Sequence, residues 1–117
     1  MKTIMIIDDD TSFLATAEII FKEKGFEVIK AETAKAGFLC LKKVIPDFLI
    51  LDVMLPDQNG FAVLKYLKKN EQYSKVPVIV ITGDSTVQID EAFKLGADDC
   101  FFKPLNFEEI IKKMEEY

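Results

Sequence analysis

Phe48-Leu49-Ile50-Leu51-Asp52-Val53-Met54-Leu55-Pro56-Asp57-Gln58-Asn59-Gly60 is the stretch whose reading decides the fold. Four apolar residues follow one another without alternation, the pattern of a strand buried on both faces of a parallel sheet. The run stops at Asp52, a carboxylate where the strand leaves the core. Pro56 and the Asn59-Gly60 pair then turn the chain before a helical pattern begins. Open α/β sheets bind their ligands outside the carboxyl ends of the strands, so Asp52 marks the position of a site.

Toward the amino terminus, residues 3–7 repeat the pattern and end in Asp8-Asp9-Asp10. Phe13, Leu14, Ala17, Ile20 and Phe21 then recur at helical spacing, with Asp10 as the cap and Gly25 closing the helix. Residues 26–30 form a second strand whose Glu27 and Lys30 suit a sheet edge. Thr33 caps a second helix running to about residue 43, with Phe38, Leu39 and Leu41 as its apolar stripe. Beyond the central stretch, Phe61, Leu64 and Leu67 mark a third helix. Its Lys65, Lys68 and Lys69 suit the negative end of the helix dipole. Residues 77–81 are a fourth strand ending at Thr82-Gly83-Asp84-Ser85, and residues 87–95 a fourth helix closed by Gly96. Residues 100–102 are a short fifth strand ending at Lys103-Pro104. Asn106 and Glu109 have capping-box spacing ahead of Ile110, Ile111 and Met114.

Strand then helix, five times over, predicts a single α/β domain over residues 1–117, a doubly wound parallel sheet of five strands in a three-layer α/β/α arrangement. Strands one, three and four are the least polar and belong in the middle. Right-handed crossovers then favour the order 2-1-3-4-5.

Composition narrows the chemistry. Fifteen Lys and Arg against 20 Asp and Glu leave a net charge of −5, which argues against tight contact with nucleic acid or an anionic membrane. There is no His, and Cys40 and Cys100 lack metal-ligand or redox spacing, so a His-based catalytic dyad and a Cys/His zinc site are excluded. The two thiols read as reduced core residues. No stretch approaches membrane-span length, and the first apolar run reaches Asp8 too soon for a signal peptide. The expected compartment is the cytoplasm.

In a parallel sheet the carboxyl ends of all strands share one rim, and Asp8, Asp9, Asp52, Thr82 and Lys103 fall there from four different strands. Singly, each has an ordinary role: the acids cap a helix, Thr82 starts a turn, Lys103 is a solvated strand end. Together they do not. Carboxylates about 5 Å apart repel by roughly 3 kcal/mol per pair at an effective dielectric near 20. Mg²⁺, a hard cation that takes carboxylates, waters and a phosphate, offsets that repulsion. Lys103 adds a second positive charge and Thr82 a hydroxyl for an oxyanion. A carboxylate so flanked is arranged to attack a phosphoryl group in line, giving an acyl phosphate. Asp52 is the nucleophile in this reading, and Asp8 and Asp9 hold the metal.

The same residues carry a resemblance. Ile6-Ile7-Asp8-Asp9-Asp10, Leu51-Asp52-Val53-Met54-Leu55-Pro56 with Gly60, Val80-Ile81-Thr82-Gly83, Gly96-Ala97-Asp98-Asp99 and Lys103-Pro104 resemble, in order and over the whole chain, the response-regulator receiver domain of two-component signalling. The resemblance implies the flavodoxin-like form of the doubly wound sheet. It implies a phosphorelay in which Asp52 accepts a phosphoryl group, with Mg²⁺, from a phosphohistidine on a sensor histidine kinase or phosphotransfer protein. Asp9 and Asp52 would bind the metal directly, Asp8 chiefly through water, and the Met54 backbone carbonyl would complete the protein's share. Thr82 and Lys103 would hold the phosphoryl oxygens, and the peptide before Pro104 would be cis. Met54 and Asp84 would tune dephosphorylation. Such a protein is not an enzyme in the ordinary sense, since it catalyses only its own phosphorylation and dephosphorylation. Its output partner, a protein or domain, would meet the fourth helix, fifth strand and fifth helix, without direct nucleic-acid or membrane contact. No output domain is legible, so the chain is expected to stand alone or to be a piece of a longer protein.

The chain departs from the family pattern at Cys100, the switch position, where receivers have Tyr or Phe. A thiol does not fill the space of that ring, and Phe102, on the same strand face, is expected to substitute. Rival readings fare worse. An aspartyl-nucleophile, Mg²⁺-dependent phosphohydrolase would want a general acid where Met54 stands. A flavodoxin-like nucleotide or flavin binder would want a Gly-rich loop where three acids stand. A phosphorylation-independent interaction module would have no need of the intact acid set.

Overall fold

The computed structural model describes all 117 residues. Along the chain run β1 (Thr3–Ile7), α1 (Thr11–Glu23), β2 (Glu27–Ala31), α2 (Ala34–Leu41), β3 (Phe48–Asp52), α3 (Gly60–Lys69), β4 (Val78–Thr82), α4 (Ile89–Lys94), β5 (Asp99–Phe102) and α5 (Phe107–Glu115). All strand pairs are parallel, and the sheet order is β2-β1-β3-β4-β5, as expected.

The unbroken apolar runs are explained by the two cores they serve. Met5, Ile7, Leu49, Leu51, Val78 and Val80 meet the helices carrying Leu41, Val63, Leu64, Leu67 and Ala92 on one face. Ile4, Ile6, Phe48, Ile50, Ile79 and Ile81 meet Leu14, Ala17, Phe21, Ile110 and Met114 of α1 and α5 on the other. Alternate side chains enter opposite layers, so every position must be apolar.

Local chemistry sets the boundaries. The Phe13 amide donates to Asp10 Oδ1 at 3.1 Å, the Ala36 amide to Thr33 Oγ1 at 3.0 Å and the Glu109 amide to Asn106 Oδ1 at 3.1 Å. Gly25 follows α1 with φ of +92°, a conformation that costs glycine little. The Lys103–Pro104 peptide is cis.

Two expectations are corrected. Leu39 is 52% exposed, because Ala34, Gly37 and Leu41 turn toward the sheet and Leu39 lies across the helix from them. The fourth helix is shorter than residues 87–95. The chain turns over residues 84–87, where Asp84 Oδ1 accepts from the Thr86 amide at 2.9 Å, and α4 starts only at Ile89, with no side-chain cap from Gln88.

Lys68 does more than complement a dipole. Its Nζ donates to the Val76 carbonyl at 2.9 Å and to Asp98 Oδ2 at 3.1 Å, and the same Oδ2 accepts from the Val78 amide at 2.8 Å. The end of α3 is thereby fastened to the starts of β4 and β5, at the rim opposite Asp52.

Candidate functional site

Parallel register brings four strand ends to one rim. Ile7 stands beside Leu51, Asp52 beside Ile81 and Thr82 beside Phe102, so Asp8, Asp52, Thr82 and Lys103 follow from neighbouring strands. The residues after β1 go separate ways. Asp8 is fully buried, its amide donating to the Ala31 carbonyl at 3.0 Å, whereas Asp9 is exposed. Asp10 caps α1, as expected. One carboxylate oxygen each from Asp8, Asp9 and Asp52 lies within 4.8 Å of the others.

Asp8 Oδ1 accepts from the Asp10 amide at 2.9 Å. Its Oδ2 is buried without a hydrogen-bond partner, although Lys103 Nζ stands 2.6 Å away. This contact is a close pairing of charges off the hydrogen-bonding direction. Lys103 also reaches Asp52 Oδ2, at 3.5 Å, while Asp52 Oδ1 accepts from the Met54 amide at 3.1 Å. Asp52 is only 5% exposed. Burial pushes its carboxyl up to about 6, the Met54 amide pulls it down, and the Asp8 charge pushes up against the pull of Lys103. Burial disfavours the Lys103 ammonium, but its two carboxylates more than offset this, and its pKa lies above the ordinary lysine value.

The loop after β3 is held close. The Gly60 amide donates to the Val53 carbonyl at 2.7 Å. A Cβ at Gly60 would collide with the Asp52 carbonyl oxygen and stand 2.7 Å from Val53 Cα, so a glycine is needed for this approach. From the same loop, Asp57 accepts from the Ala34 amide at 2.9 Å and the Lys35 amide at 3.0 Å, joining Thr33 at the start of α2. Its carboxyl is held below the usual range by those two amides.

Asp9, Asp52, Met54, Asp84 and Lys103 line a cleft of about 650 Å³ with Asp10, Gly83 and Ser85. Met54, 57% exposed, stands at its mouth. Thr82 ends β4 at this rim, fully buried, with its Oγ1 accepting from the Asp84 amide at 3.0 Å under the loop. Its hydroxyl proton remains free to donate. The Asp84 carboxyl is kept below its ordinary range by the Thr86 hydroxyl, which donates to Oδ1 at 2.6 Å, and by the Thr86 amide.

Cys100 is half-buried and packs on the core shared by α3 and α4, its thiol pushed up by burial and by Asp99. Phe102, expected to take over the switch position, is 40% exposed.

Periodicity did not single out Phe13. Its ring lies under Lys103, with Nζ 4.7 Å from the centroid. It also stacks on Phe107, with centroids 6.0 Å apart and planes at 19°. The helical stripe at residues 13, 14, 17 and 21 accounts for its burial and is silent about its neighbour 90 residues on.

The assembled site is a buried carboxylate opening on an acidic cleft, with an ammonium at its side. It can hold a divalent cation and present an oxygen nucleophile. The family model described as the response regulator receiver domain matches residues 4–115. The DNA-binding dual master transcriptional regulator RpaA of Synechocystis is 32% identical over 115 residues, covering 97% of this chain and 48% of its own length. The transcriptional regulatory protein CpxR homolog of Haemophilus influenzae is 34% identical, covering 98% and 49%. The chain thus spans about half the length of these curated relatives. Among solved structures, the signal receiver domain of a DNA-binding response regulator from Colwellia psychrerythraea superposes with a TM-score of 0.91 at 29% identity, covering 100% of both chains. The chemotaxis response regulator CheY4 of Vibrio cholerae gives 0.89 at 25% identity, covering 99% of this chain and 98% of its own.

Proposed function

The chain belongs to the response regulator receiver family of two-component signalling, and from that membership we propose that Asp52 is its phosphoacceptor. The donor in this reading is a phosphohistidine on a sensor histidine kinase or phosphotransfer protein. One observation carries it: a carboxylate only 5% exposed faces the cleft with an ammonium 3.5 Å away. We read residues 1–117 as one receiver domain acting in the cytoplasm. No helix is long and apolar enough to cross a membrane.

Three hard carboxylates, with oxygens within 4.8 Å of one another and a single ammonium among them, fit Mg²⁺. Asp8, Asp9 and Asp52 would hold it, with the Met54 backbone carbonyl beside them. When bound, the ion supplies positive charge to the equatorial oxygens of the transferring group.

An Asp52 oxygen attacks phosphorus in line, forming an O–P bond as the P–N bond to the donor imidazole breaks, and the electron pair leaves with the nitrogen. Lys103 meets the oxygens of the arriving group. Thr82 reaches them with its free hydroxyl proton once the loop at Asp84 gives way. The reverse fate, hydrolysis of the acyl phosphate, needs water beside Asp52, and Met54 and Asp84, which line the cleft with it, would govern the approach of that water. The phosphorylated state would pass to an output protein or domain through α4, β5 and α5. A phosphohydrolase is not favoured, since Met54 stands in place of its general acid.

Acetyl phosphate with Mg²⁺ tests this. The wild type should gain the mass of one phosphoryl group and Asp52→Asn should gain none. Labelling of Asp52→Asn to the wild-type extent would overturn the assignment.

A further inference from the structure

We propose that Phe13 is a positioning residue for Lys103, its ring being the floor on which the ammonium rests while it faces Asp8 and Asp52. The inference rests on the reading above, in which Lys103 meets the incoming phosphoryl oxygens.

A lysine carries its charge on a flexible four-carbon stem, and nothing intrinsic to it fixes where the charge sits. Lys103 must serve two carboxylates at 2.6 and 3.5 Å while its side chain remains 20% exposed. Behind the stem a second cleft of about 480 Å³ opens to solvent between α1 and the start of α5, lined in part by Ser12, Thr16 and Leu105. The ammonium has room to swing there. The Phe13 ring, 4.7 Å from Nζ, sits on that side and offers its negative face, which is within the range of a cation–π contact. One face of the lysine is thus held by carboxylates and the other by a ring.

The ring is itself fixed from two directions. The Phe13 amide donates to Asp10 Oδ1, so the cap of α1 sets where the first turn places the side chain. Phe107, the first residue of α5, stacks against the ring and in turn meets Phe21 edge-on at 5.6 Å. A phosphoryl group that draws Lys103 toward Asp52 therefore weakens the contact with Phe13, and Phe13 bears directly on the start of α5.

The test begins with the metal-free protein, because the arrangement does not depend on phosphorylation. In the wild type, the ε-methylene protons of Lys103 should be shifted upfield by the ring current of Phe13. Phe13→Leu should erase that shift, and Phe13→Tyr should keep it. With acetyl phosphate and saturating Mg²⁺, the maximal phosphorylation rate of Phe13→Leu should fall roughly 3- to 10-fold, the size of one cation–π contact, and Phe13→Tyr should recover most of it. If Phe13→Leu fails to fold, Phe107→Leu takes its place and should reduce both the shift and the rate. Lys103 protons at the shift of an exposed lysine would overturn the proposal. So would a folded Phe13→Leu with the wild-type rate, or a Phe13→Tyr as slow as Phe13→Leu. Labelling of Asp52→Asn would instead sink the phosphoacceptor reading and leave the ring-current result standing.

Discussion

Lys103 is the counter-ion of Asp8 before it is that of Asp52: its Nζ lies 2.6 Å from Asp8 Oδ2 and 3.5 Å from Asp52 Oδ2. The two carboxylates are otherwise alike, each with its Oδ1 accepting from a backbone amide, and they differ in burial: Asp8 is fully buried and Asp52 is 5% exposed. Lys103→Met leaves two buried carboxylates without their cation, a loss of about 3 kcal/mol. Urea unfolding without metal should show it, and added Mg²⁺ should restore part of the loss.

Asp52 sets a pH dependence. Its carboxyl is raised by burial, then by the Asp8 charge, to about 6 from an ordinary 3.8. Between those values the folded chain keeps a proton that the unfolded chain has lost. The stabilisation is complete below 3.8 and fades as pH rises through 6. In EDTA, the melting temperature of Asp52→Asn relative to wild type should therefore climb across this window. At pH 7 the variant should be the more stable by about 1–3 kcal/mol.

Asp9 separates metal binding from folding. It is exposed and contributes an oxygen to the acid cluster, whereas Asp8 is fully buried. Mg²⁺ at ten times its Kd should stabilise the wild type by about 1.4 kcal/mol, seen as a rise in Tm. Asp9→Asn should melt close to the wild type in EDTA and lose most of the rise.

Gly60→Ala should destabilise the chain by about 2–3 kcal/mol, since the new Cβ meets backbone of Asp52 and Val53 that has nowhere to go. Moving that backbone also moves the acceptor. The denaturation midpoint and the acetyl phosphate rate should fall together.

Asp84→Ala should change the lifetime of the acyl phosphate. The Asp84 carboxylate lines the cleft and is tied to Thr86, so its removal both clears the entrance and loosens the loop. Decay of the phosphorylated protein, followed by mass after removal of the donor, measures it.

Much of this was legible in the residue order, for a physical reason. A strand buried on both faces has no polar positions, so β1, β3 and β4 declare themselves, and the first acid after each run lies on the rim. Contacts between distant side chains were not legible. Phe13 reads as one member of a helical stripe, and neither it nor Lys103 carries a sign of the other. Asp57 has no role in the residue order, where Pro56 and Asn59-Gly60 carry the turn, yet it caps α2 from 23 positions away. Lys68 reads as a dipole partner, although its fixed contacts lie on two later loops. That Thr82 is fully buried, with its hydroxyl oxygen under the Asp84 amide, is likewise a contact that only the folded loop reveals.

The fastening at Lys68 bears on how α4 can move. Where α4 runs out toward β5, Asp98 is tied to Val78 and to Lys68, whereas the Asp84–Thr86 turn before its first residue is closed mostly on itself. One end of the helix is bolted and the other is latched. Loosening of α4 is therefore expected first at its approach beside the acid cleft and last where Asp98 holds the chain to Lys68, an order that amide hydrogen exchange would read.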